Sequence, residues 1–404
     1  MTFTKQSKYL WLTVFIGLSL FFVNQVEAKS TVKPASLLTV NIAILAQLDK
    51  PAINLSIIDP VVLDKGELGA ELAIQENNIT GEFIGQSFTL KKFIVPANAN
   101  AETVFNEHIV GKFNYLVTLL SPEKTLAIAD LARQQALLIL DAATVDDSLR
   151  NTDCRESVLH LLPSRAMRAD ALGQYSIKKR WHRWFLVVGA EPADQLFAEA
   201  LKRTAKRFNI KIVAEKQWSH TFDARKTAQA EIDVFTQIED DYDVLVVADE
   251  QNLFGEYLDY QTWSPRPIIG TQGLSAVAWH PTHDLWGATQ IQKRFKTQAG
   301  RWMNEQDYAA YLAIRALGEA VTRTHSSAWQ ALKNFMLSDR FVLQGYKGSA
   351  LSFRAWDGQL RQPILLAAPR SLVAVAPIEG FLHPKTELDT LGYDAPESLC
   401  KRKE

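Results

Sequence analysis

Three side chains of metal-ligand type lie close together in the chain: His280, His283 and Asp284. Imidazole and carboxylate groups are common ligands of Zn²⁺, so this H-x-x-H-D cluster is a candidate metal site. Pro281 lies between the two histidines and indicates a loop, and the sequence offers no further ligand. We therefore predict no metal site and interpret the cluster as a loop that is solvated or crosses between domains.

Motifs of the common enzyme classes are missing from the sequence. There is no G-x-x-x-x-G-K-[ST] phosphate loop, no G-x-G-x-x-G after the first predicted strand and no G-x-S-x-G nucleophile elbow. Phosphate-loop and dinucleotide binding and serine-nucleophile catalysis are therefore disfavoured. We predict that the protein is not an enzyme and binds no cofactor, with an enzyme of unrecognised type as the alternative.

Two cysteines, Cys154 and Cys400, are the only thiols of the chain. In an oxidising compartment they are candidates for one disulfide, which would attach the C-terminal tail, residues 377–404, to the rest of the protein. Two separate buried thiols are the alternative.

The N-terminal residues have the pattern of a secretory signal peptide. Lys5 and Lys8 precede the apolar run from Tyr9 to Val23, and Val26-Glu27-Ala28 follows it. We predict cleavage after Ala28, so that residues 1–28 are removed. A membrane anchor is the alternative, but a span of about 20 apolar residues is needed to cross a bilayer. No second apolar run of that length follows, so we expect no membrane insertion of the mature chain.

The charge of the mature chain is close to neutral. Removal of residues 1–28 takes away two lysines and one glutamate, which leaves 42 basic and 44 acidic side chains and a formal charge of −2. Such a balance does not favour binding to nucleic acid or to a membrane surface. The remaining residues are enough for two domains of ordinary size.

The elements that would hold these residues alternate between strands and helices. Short apolar strands such as Thr39–Ala46, Tyr115–Leu119 and Asp243–Ala248 are separated by amphipathic helices. This pattern predicts an α/β protein with two doubly wound, Rossmann-like lobes. We assign residues 36–160 and 283–343 to lobe I and residues 165–280 and 345–376 to lobe II.

The chain is expected to cross between the lobes about three times. The helix predicted at Asp307–Thr322 has no strand partner in lobe II, so we return it to lobe I. A hairpin of Ala350–Ala355 and Gln362–Ala367, turning at Asp357-Gly358, is predicted in lobe II. Several crossings form a hinge that suits closure around a ligand.

The motif Asp64-x-Gly66-x-x-Gly69-Ala70, followed by Asn77-Asn78, occurs with two successive βαβ lobes and a late return helix. Together these features resemble the type 1 periplasmic solute-binding proteins, the leucine/isoleucine/valine-binding group. More narrowly, the chain resembles the ABC-transporter substrate-binding proteins associated with pyrroloquinoline-quinone (PQQ)-dependent alcohol dehydrogenase systems. The stretches that carry this narrower resemblance are 78–81, 163–167, 247–250, 294–295, 353–363 and 388–394.

The resemblance implies a periplasmic protein that captures a small-molecule ligand between its lobes and then docks on an ABC permease in the inner membrane. It implies a monomer without a cofactor. The alternatives are a sensor of the same fold that signals to a partner, and a scaffold that has lost ligand binding.

Ligands of open α/β sheets bind beyond the carboxyl ends of the strands, where the starts of helices can grip anionic groups. Ser121 would bind a ligand carboxylate, cap its helix, or do both. Asp249 and Glu250 would receive a ligand cation or lie in a solvated loop. In relatives that bind amino acids, an acidic residue near the position of Gln272 receives the ammonium, so the amide here puts amino-acid specificity in doubt. The ligand-binding candidates are Ser121, Ala142, Thr144, Glu191, Asp249, Glu250 and Gln272.

Overall fold

The computed structural model describes residues 37–48, 62–218, 231–259, 261–381 and 383–401. The predicted signal peptide, residues 1–28, lies outside the described residues. Within the described ranges, no helix is both long and apolar enough to cross a membrane.

The first sheet has five parallel strands in the order β2-β1-β3-β4-β5. They are β1 (Leu38–Gln47), β2 (Gln86–Val95), β3 (Tyr115–Leu119), β4 (Leu138–Asp141) and β5 (Val158–His160). All residues of β3 and β4 are buried. A continuous apolar run of this kind is typical of a parallel strand that is covered on both faces.

The second sheet has seven strands in the order β15-β14-β10-β9-β8-β6-β7. They are β6 (Arg183–Val188), β7 (Lys211–Gln217), β8 (Val244–Ala248), β9 (Ile268–Gly270), β10 (Leu274–Val277), β14 (Ile364–Ala368) and β15 (Ser371–Ala376). The strands β6 to β10 run parallel, whereas β14 and β15 are antiparallel additions at one edge. A small antiparallel sheet is formed by β11 (Leu343–Gln344), β12 (Ala350–Phe353) and β13 (Leu360–Arg361).

The helices divide between two hydrophobic cores. Those packed in the core of the first sheet are α1 (Glu67–Ile84), α2 (Ala101–His108), α3 (Pro122–Leu131), α6 (Ala288–Ala299), α7 (Glu305–Thr324) and α8 (Trp329–Met336). The core of the second sheet includes α4 (Arg165–Lys179) and α5 (Pro192–Arg207). Residues 231–235 are also helical. We call the first sheet with its helices and the small sheet the first lobe, and the second sheet with α4 and α5 the second lobe.

Helix α7 is the late helix that returns to the first lobe. It packs closely on α1, because a Cβ atom on Gly69 would lie 1.9 Å from the carbonyl oxygen of Asp307. The buried amide of Asn77 donates to the carbonyl of Ile314, 2.9 Å away. These contacts hold α7 alongside α1 over several turns of both helices.

The chain crosses between the lobes at three places: from β5 to α4, from β10 to α6, and from β13 to β14. We call residues 161–164, 278–287 and 361–363 the hinge segments. The predicted α/β class and the parallel sheets are confirmed. The residue boundaries of the two lobes stay a prediction, although Leu351, Phe353 and Leu360 pack in the first core rather than the second.

The predicted hairpin is wrong in its pairing. Its turn at Asp357-Gly358 is present, but β12 pairs with the two-residue strand β13. The second predicted strand instead becomes β14, which pairs with β10 and β15. The chain passes from the first lobe to the second between β13 and β14. The two segments that the sequence pattern joins in one hairpin therefore lie in different lobes.

The C-terminal segment contacts both lobes. Gly392 donates its backbone N–H to Asp170 on α4, and its carbonyl accepts from Arg203 on α5, at 2.8 and 2.9 Å. Farther along, Cys400 forms a disulfide with Cys154 of the first lobe, with an S–S distance of 2.06 Å. The cysteine pair expected from the sequence therefore fastens the end of the chain to the first lobe.

Candidate ligand-binding cleft

A cavity of about 490 Å³ opens between the carboxyl ends of the strands of the two sheets. Residues that follow β4, β8 and β9 line it, as does the first turn of α7. This is the place where open α/β sheets bind their ligands, and its volume is in the usual range for small-molecule sites. The lining residues are Lys65, Ala143, Val145, Leu162, Arg168, Phe197, Asp249, Glu250, Asn252, Gly270, Thr271, Ser275, Ala276, Val277, Asn304, Glu305 and Gln306.

Asp249 lines the cavity wall, but its carboxylate is used by the protein itself. One oxygen accepts from the backbone N–H of Leu253 at 2.9 Å, and the other accepts from Phe254 and Gly255 at 2.9 and 2.7 Å. Three backbone N–H groups of the following loop converge on this one carboxylate. Asp249 therefore holds the loop after β8 in place.

Glu250 lines the cavity and forms a bidentate ion pair with Arg165, at 2.8 and 2.6 Å. Arg165 begins α4 and also donates to Asp146 of the first lobe at 2.7 Å. Burial lowers the pKa of Arg165, but the bonds and charges of Glu250 and Asp146 outweigh it and raise the pKa overall. The guanidinium thus joins two carboxylates from opposite lobes at the base of the cleft.

A second ion pair crosses the cleft, and it was not predicted from the sequence. Arg168 of α4 donates to both oxygens of Glu305 at the start of α7, at 3.2 and 2.9 Å. The backbone N–H of Ala278, in a hinge segment, donates to the same carboxylate. The two residues are far apart in sequence, so no spacing pattern could have indicated their contact.

Gln272 does not line the cavity. Its amide nitrogen donates to the carbonyl of Asp249 at 2.9 Å and to the side chain of Asn252 at 2.6 Å. Its amide oxygen lies against Gly255, where an added Cβ would come within 2.3 Å of it. The side chain thus braces the loop behind Asp249, and as a ligand contact it stays a prediction.

Ala142 and Thr144 are buried beside the cleft, whereas their neighbours Ala143 and Val145 line it. The Thr144 hydroxyl donates to Asp141, which also contacts the ring of His160, 2.8 Å away, and accepts from the backbone N–H groups of Ala143 and Thr144. Burial raises the pKa of Asp141, but His160, Arg150 and Thr144 together hold it below its usual value. Thr144 therefore belongs to a buried network below the cavity floor.

Ser121 and Glu191 each precede a helix and are not among the lining residues. The Ser121 hydroxyl accepts from the N–H of Lys124 at 3.5 Å, which is a capping contact at the start of α3. Glu191 forms a reciprocal capping box with Asp194 at the start of α5. Ligand binding by either residue stays a prediction.

Asp194 links the start of α5 to the cavity wall. Its carboxylate accepts from the N–H of Glu191 at 3.1 Å and from that of Glu250 at 2.7 Å. Burial raises its pKa to about 6 in spite of these bonds, and the nearby charges of Asp249 and Glu250 add to the effect. No feature of the sequence singled out this residue.

The two histidines of the cluster contact other groups of the protein rather than converging as a set of metal ligands. His280 contacts the hydroxyl of Thr282 at 2.7 Å, and His283 donates from Nε2 to the carbonyl of Tyr346 at 2.7 Å. Burial lowers the pKa of both rings. Among the residues that the structure describes, no three metal-ligating side chains converge.

No protein-family model and no curated protein matches the chain. Solved structures of the same architecture do match it. The fold is that of the type 1 periplasmic binding proteins. One example is the closed leucine-, isoleucine-, valine-, threonine- and alanine-binding protein from Brucella ovis, with a TM-score of 0.67 and 13% identity over 90% of this chain and 99% of that one.

Two further solved structures that match the chain are of ABC-transporter binding proteins. The leucine complex of an ABC transporter substrate-binding protein from Desulfitobacterium hafniense has a TM-score of 0.62 and 15% identity, covering 83% of this chain and 99% of that one. A branched-chain amino acid ABC transporter periplasmic ligand-binding protein from Burkholderia xenovorans has a TM-score of 0.65 and 14% identity, covering 84% and 95%. At these identities the likeness establishes the fold.

Proposed function

We propose that this protein is the periplasmic solute-binding component of an ABC transporter. It captures a small molecule in the cleft between its lobes and delivers it to a permease in the inner membrane. The observation that carries the proposal is the cavity itself, which lies at the carboxyl ends of both sheets with a three-segment hinge beside it. The solved structures named above have the same fold, and two of them are ABC-transporter binding proteins.

Interlobe ion pairs support a binding protein that closes around its ligand. Arg165 and Arg168 reach from α4 to Asp146 and Glu305 of the first lobe. Contacts of this kind form or break when two lobes rotate about a hinge, so they give the open and closed states different energies.

The finer part of the proposal concerns the transport system. The stretches 353–363 and 388–394 support a link to PQQ-dependent alcohol oxidation. In the structure these stretches lie together, because Arg354 and Arg361 both donate to Asp389 at 2.8 Å. No residue of these stretches lines the cavity. They therefore support assignment to a family and give no information on the identity of the ligand.

Native mass spectrometry of the protein purified without refolding, followed by a thermal-shift screen of small solutes, tests the proposal. A ligand that binds one to one and is not consumed should stabilise the fold by about 2.7 kcal/mol at 100 times its dissociation constant. Small-angle scattering should show a decrease in the radius of gyration on binding. Turnover of a compound in the screen would refute the proposal in favour of an enzyme, and binding without closure would favour a scaffold.

A further inference from the structure

The charged groups around the cleft indicate the charge of its ligand. Three carboxylates line the described part of the cavity: Asp249, Glu250 and Glu305. Both oxygens of each already accept hydrogen bonds from donors of the protein. A ligand ammonium would therefore meet carboxylates whose charge is matched by a guanidinium or by backbone N–H groups.

Two of these carboxylates belong to ion pairs that are largely shielded from water. The side chains of Arg165 and Glu250 are 6% and 22% exposed, and those of Arg168 and Glu305 are 17% and 26% exposed. Removing one partner of a shielded, bidentate pair is costly, because the other charge then stays desolvated without a counter-charge. The cleft thus offers no carboxylate, among the described residues, that is ready to receive a cation.

Of the two cationic side chains that line the cavity, Arg168 is paired with Glu305, whereas Lys65 has no ion pair among the described residues. It is exposed and immediately precedes the first turn of α1, which has no side-chain cap. Asn304, Glu305 and Gln306 bring the start of α7 to the same cavity. Asp307 already accepts from the backbone N–H groups of Gly66 and Asn304 at these two helix starts, at 2.8 and 3.0 Å. The free positive charge at this side of the cleft is therefore that of Lys65.

Apolar side chains from both lobes also line the cavity. They include Ala143 and Val145 of the first lobe and Phe197, Ala276 and Val277 of the second. An apolar surface of this kind favours the hydrocarbon part of a ligand by about 25 cal/mol per Å² that is removed from water. The described wall therefore combines one free cation with a hydrocarbon-binding surface.

Building on the proposed function, we propose that the ligand of this cleft is a small carboxylate with an apolar body and no ammonium group, and that Lys65 is its counter-ion. The amino acids for which the matching binding proteins are named, or with which they are complexed, carry both a carboxylate and an ammonium. In this cleft Lys65 is available to pair with the carboxylate. No carboxylate among the described residues is free to pair with the ammonium.

Matched sets of compounds test this inference, because within each set only the charged groups differ. One set is 4-methylpentanoate, leucine and 3-methylbutylamine, and the other is 3-phenylpropanoate, phenylalanine and 2-phenylethylamine. Thermal shift and calorimetry on the mature wild-type protein should show saturable binding of at least one acid. The corresponding amino acid should bind at least tenfold more weakly, and the amine should not bind.

Substitution of Lys65 tests its role. Lys65→Met should weaken binding of the acid at least tenfold and leave the unliganded melting temperature unchanged, because the side chain is exposed and has no partner. Lys293→Met is the matched control, since Lys293 is an exposed lysine on α6 that does not line the cavity. It should leave the affinity unchanged.

The outcomes separate this inference from the proposed function. An amino acid that binds as tightly as its acid, or an acid whose affinity survives Lys65→Met, overturns the ligand inference and leaves a solute-binding protein in place. Absence of binding by both acids also overturns it. The proposed function fails on different grounds, namely when the wider screen finds turnover or no ligand that closes the lobes.

Discussion

The hinge and the cleft wall are adjacent in this molecule, but they differ in how many of their polar side chains have hydrogen-bond partners. At the hinge, the buried amide of Gln359 donates to the carbonyl of Leu162 at 3.0 Å and accepts from Arg150 at 2.8 Å. Gln362 reaches the carbonyl of Leu161 and accepts from Lys347 at 2.7 Å. Three of these four bonds join residues that are 197, 209 and 201 positions apart in sequence.

In the cleft, Lys65 and Gln306 have no hydrogen-bond partner within the part of the chain that the structure describes. A saturated buried network favours one arrangement of the crossing segments, because any other leaves desolvated groups unpaired. Unpartnered groups at an open surface are solvated at little cost and remain available. The comparison teaches that the polar groups of the hinge specify geometry, whereas the side chains of Lys65 and Gln306 in the cleft are free for binding.

The largest expected effect comes from Arg150, which makes five hydrogen bonds to Gln359, Thr144, Asp146 and Leu162. Arg150→Met should lower the free energy of unfolding by about 3–5 kcal/mol, because it leaves buried acceptors and Asp141 without their cation. Urea unfolding measures this loss. Arg133→Met is the control, since Arg133 is exposed, and it should cost less than about 0.5 kcal/mol. A similarly small loss for Arg150→Met would show that the hinge network does not determine stability.

The next effect concerns the disulfide, which fastens the C-terminal tail to the first lobe. Replacement of Cys154 and Cys400 by serine should lower the free energy of unfolding by about 2–4 kcal/mol, since the bond constrains the unfolded chain. A reducing agent should lower the melting temperature of the wild type and leave that of the variant unchanged. Two reactive thiols in denatured wild-type protein, without reductant, would contradict the bond.

Long buried strands of the fold could be predicted from the sequence. Tyr115–Leu119 matches β3 at both ends, and Thr39–Ala46 lies within one residue of each end of β1. Both are largely apolar runs of useful length with a polar residue at one end, Asn114 for the first and Gln47 for the second. The short strands β5 and β10 have three and four residues, which is too few to establish a period, and they were missed. Helix α4 is not among the elements predicted from the sequence either.

The cleft could be predicted less well than the fold. The rule of carboxyl ends selected Asp249 and Glu250, which line the cavity, but it also selected Ala142 and Thr144, whose neighbours line it instead. Beyond the end of a strand, side chains no longer alternate between the two faces of the sheet. The sequence therefore does not show which of two neighbouring residues lines the cavity. Lys65 and Glu305 lie at helix starts, where the sequence shows polarity but not which neighbour, if any, pairs with it.

The Arg168–Glu305 pair connects the two regions and gives a moderate effect. Glu305→Gln removes a charge-assisted bond between the lobes, so the free energy of unfolding should fall by about 1–2 kcal/mol. The unliganded protein should also shift toward a larger radius of gyration in small-angle scattering, since one interlobe contact is weakened. Glu319→Gln is the control on the same helix, because its pair with Arg323 is exposed and 3.8 Å long. Equal effects of the two substitutions would show that the pair does not hold the lobes together.

The smallest effect is a pH dependence at the second-lobe wall of the cleft. Burial raises the pKa of Asp194 from 3.8 to about 6, so between these values the folded protein keeps a proton that the unfolded chain has lost. This contribution to stability is complete below pH 3.8 and is lost as the pH rises through about 6.

Asp194→Asn should remove that dependence and keep the amide oxygen as an acceptor for the N–H of Glu250. The free energy of unfolding of the variant, minus that of the wild type, should therefore increase between pH 4 and pH 7 in urea titrations. Asp141 acts in the opposite direction, because its pKa is lowered and its contribution is lost as the pH falls. Both proteins contain Asp141, so its contribution cancels in the difference. A difference that is independent of pH would show that Asp194 is ionised throughout, and that the cleft wall is as fully satisfied as the hinge.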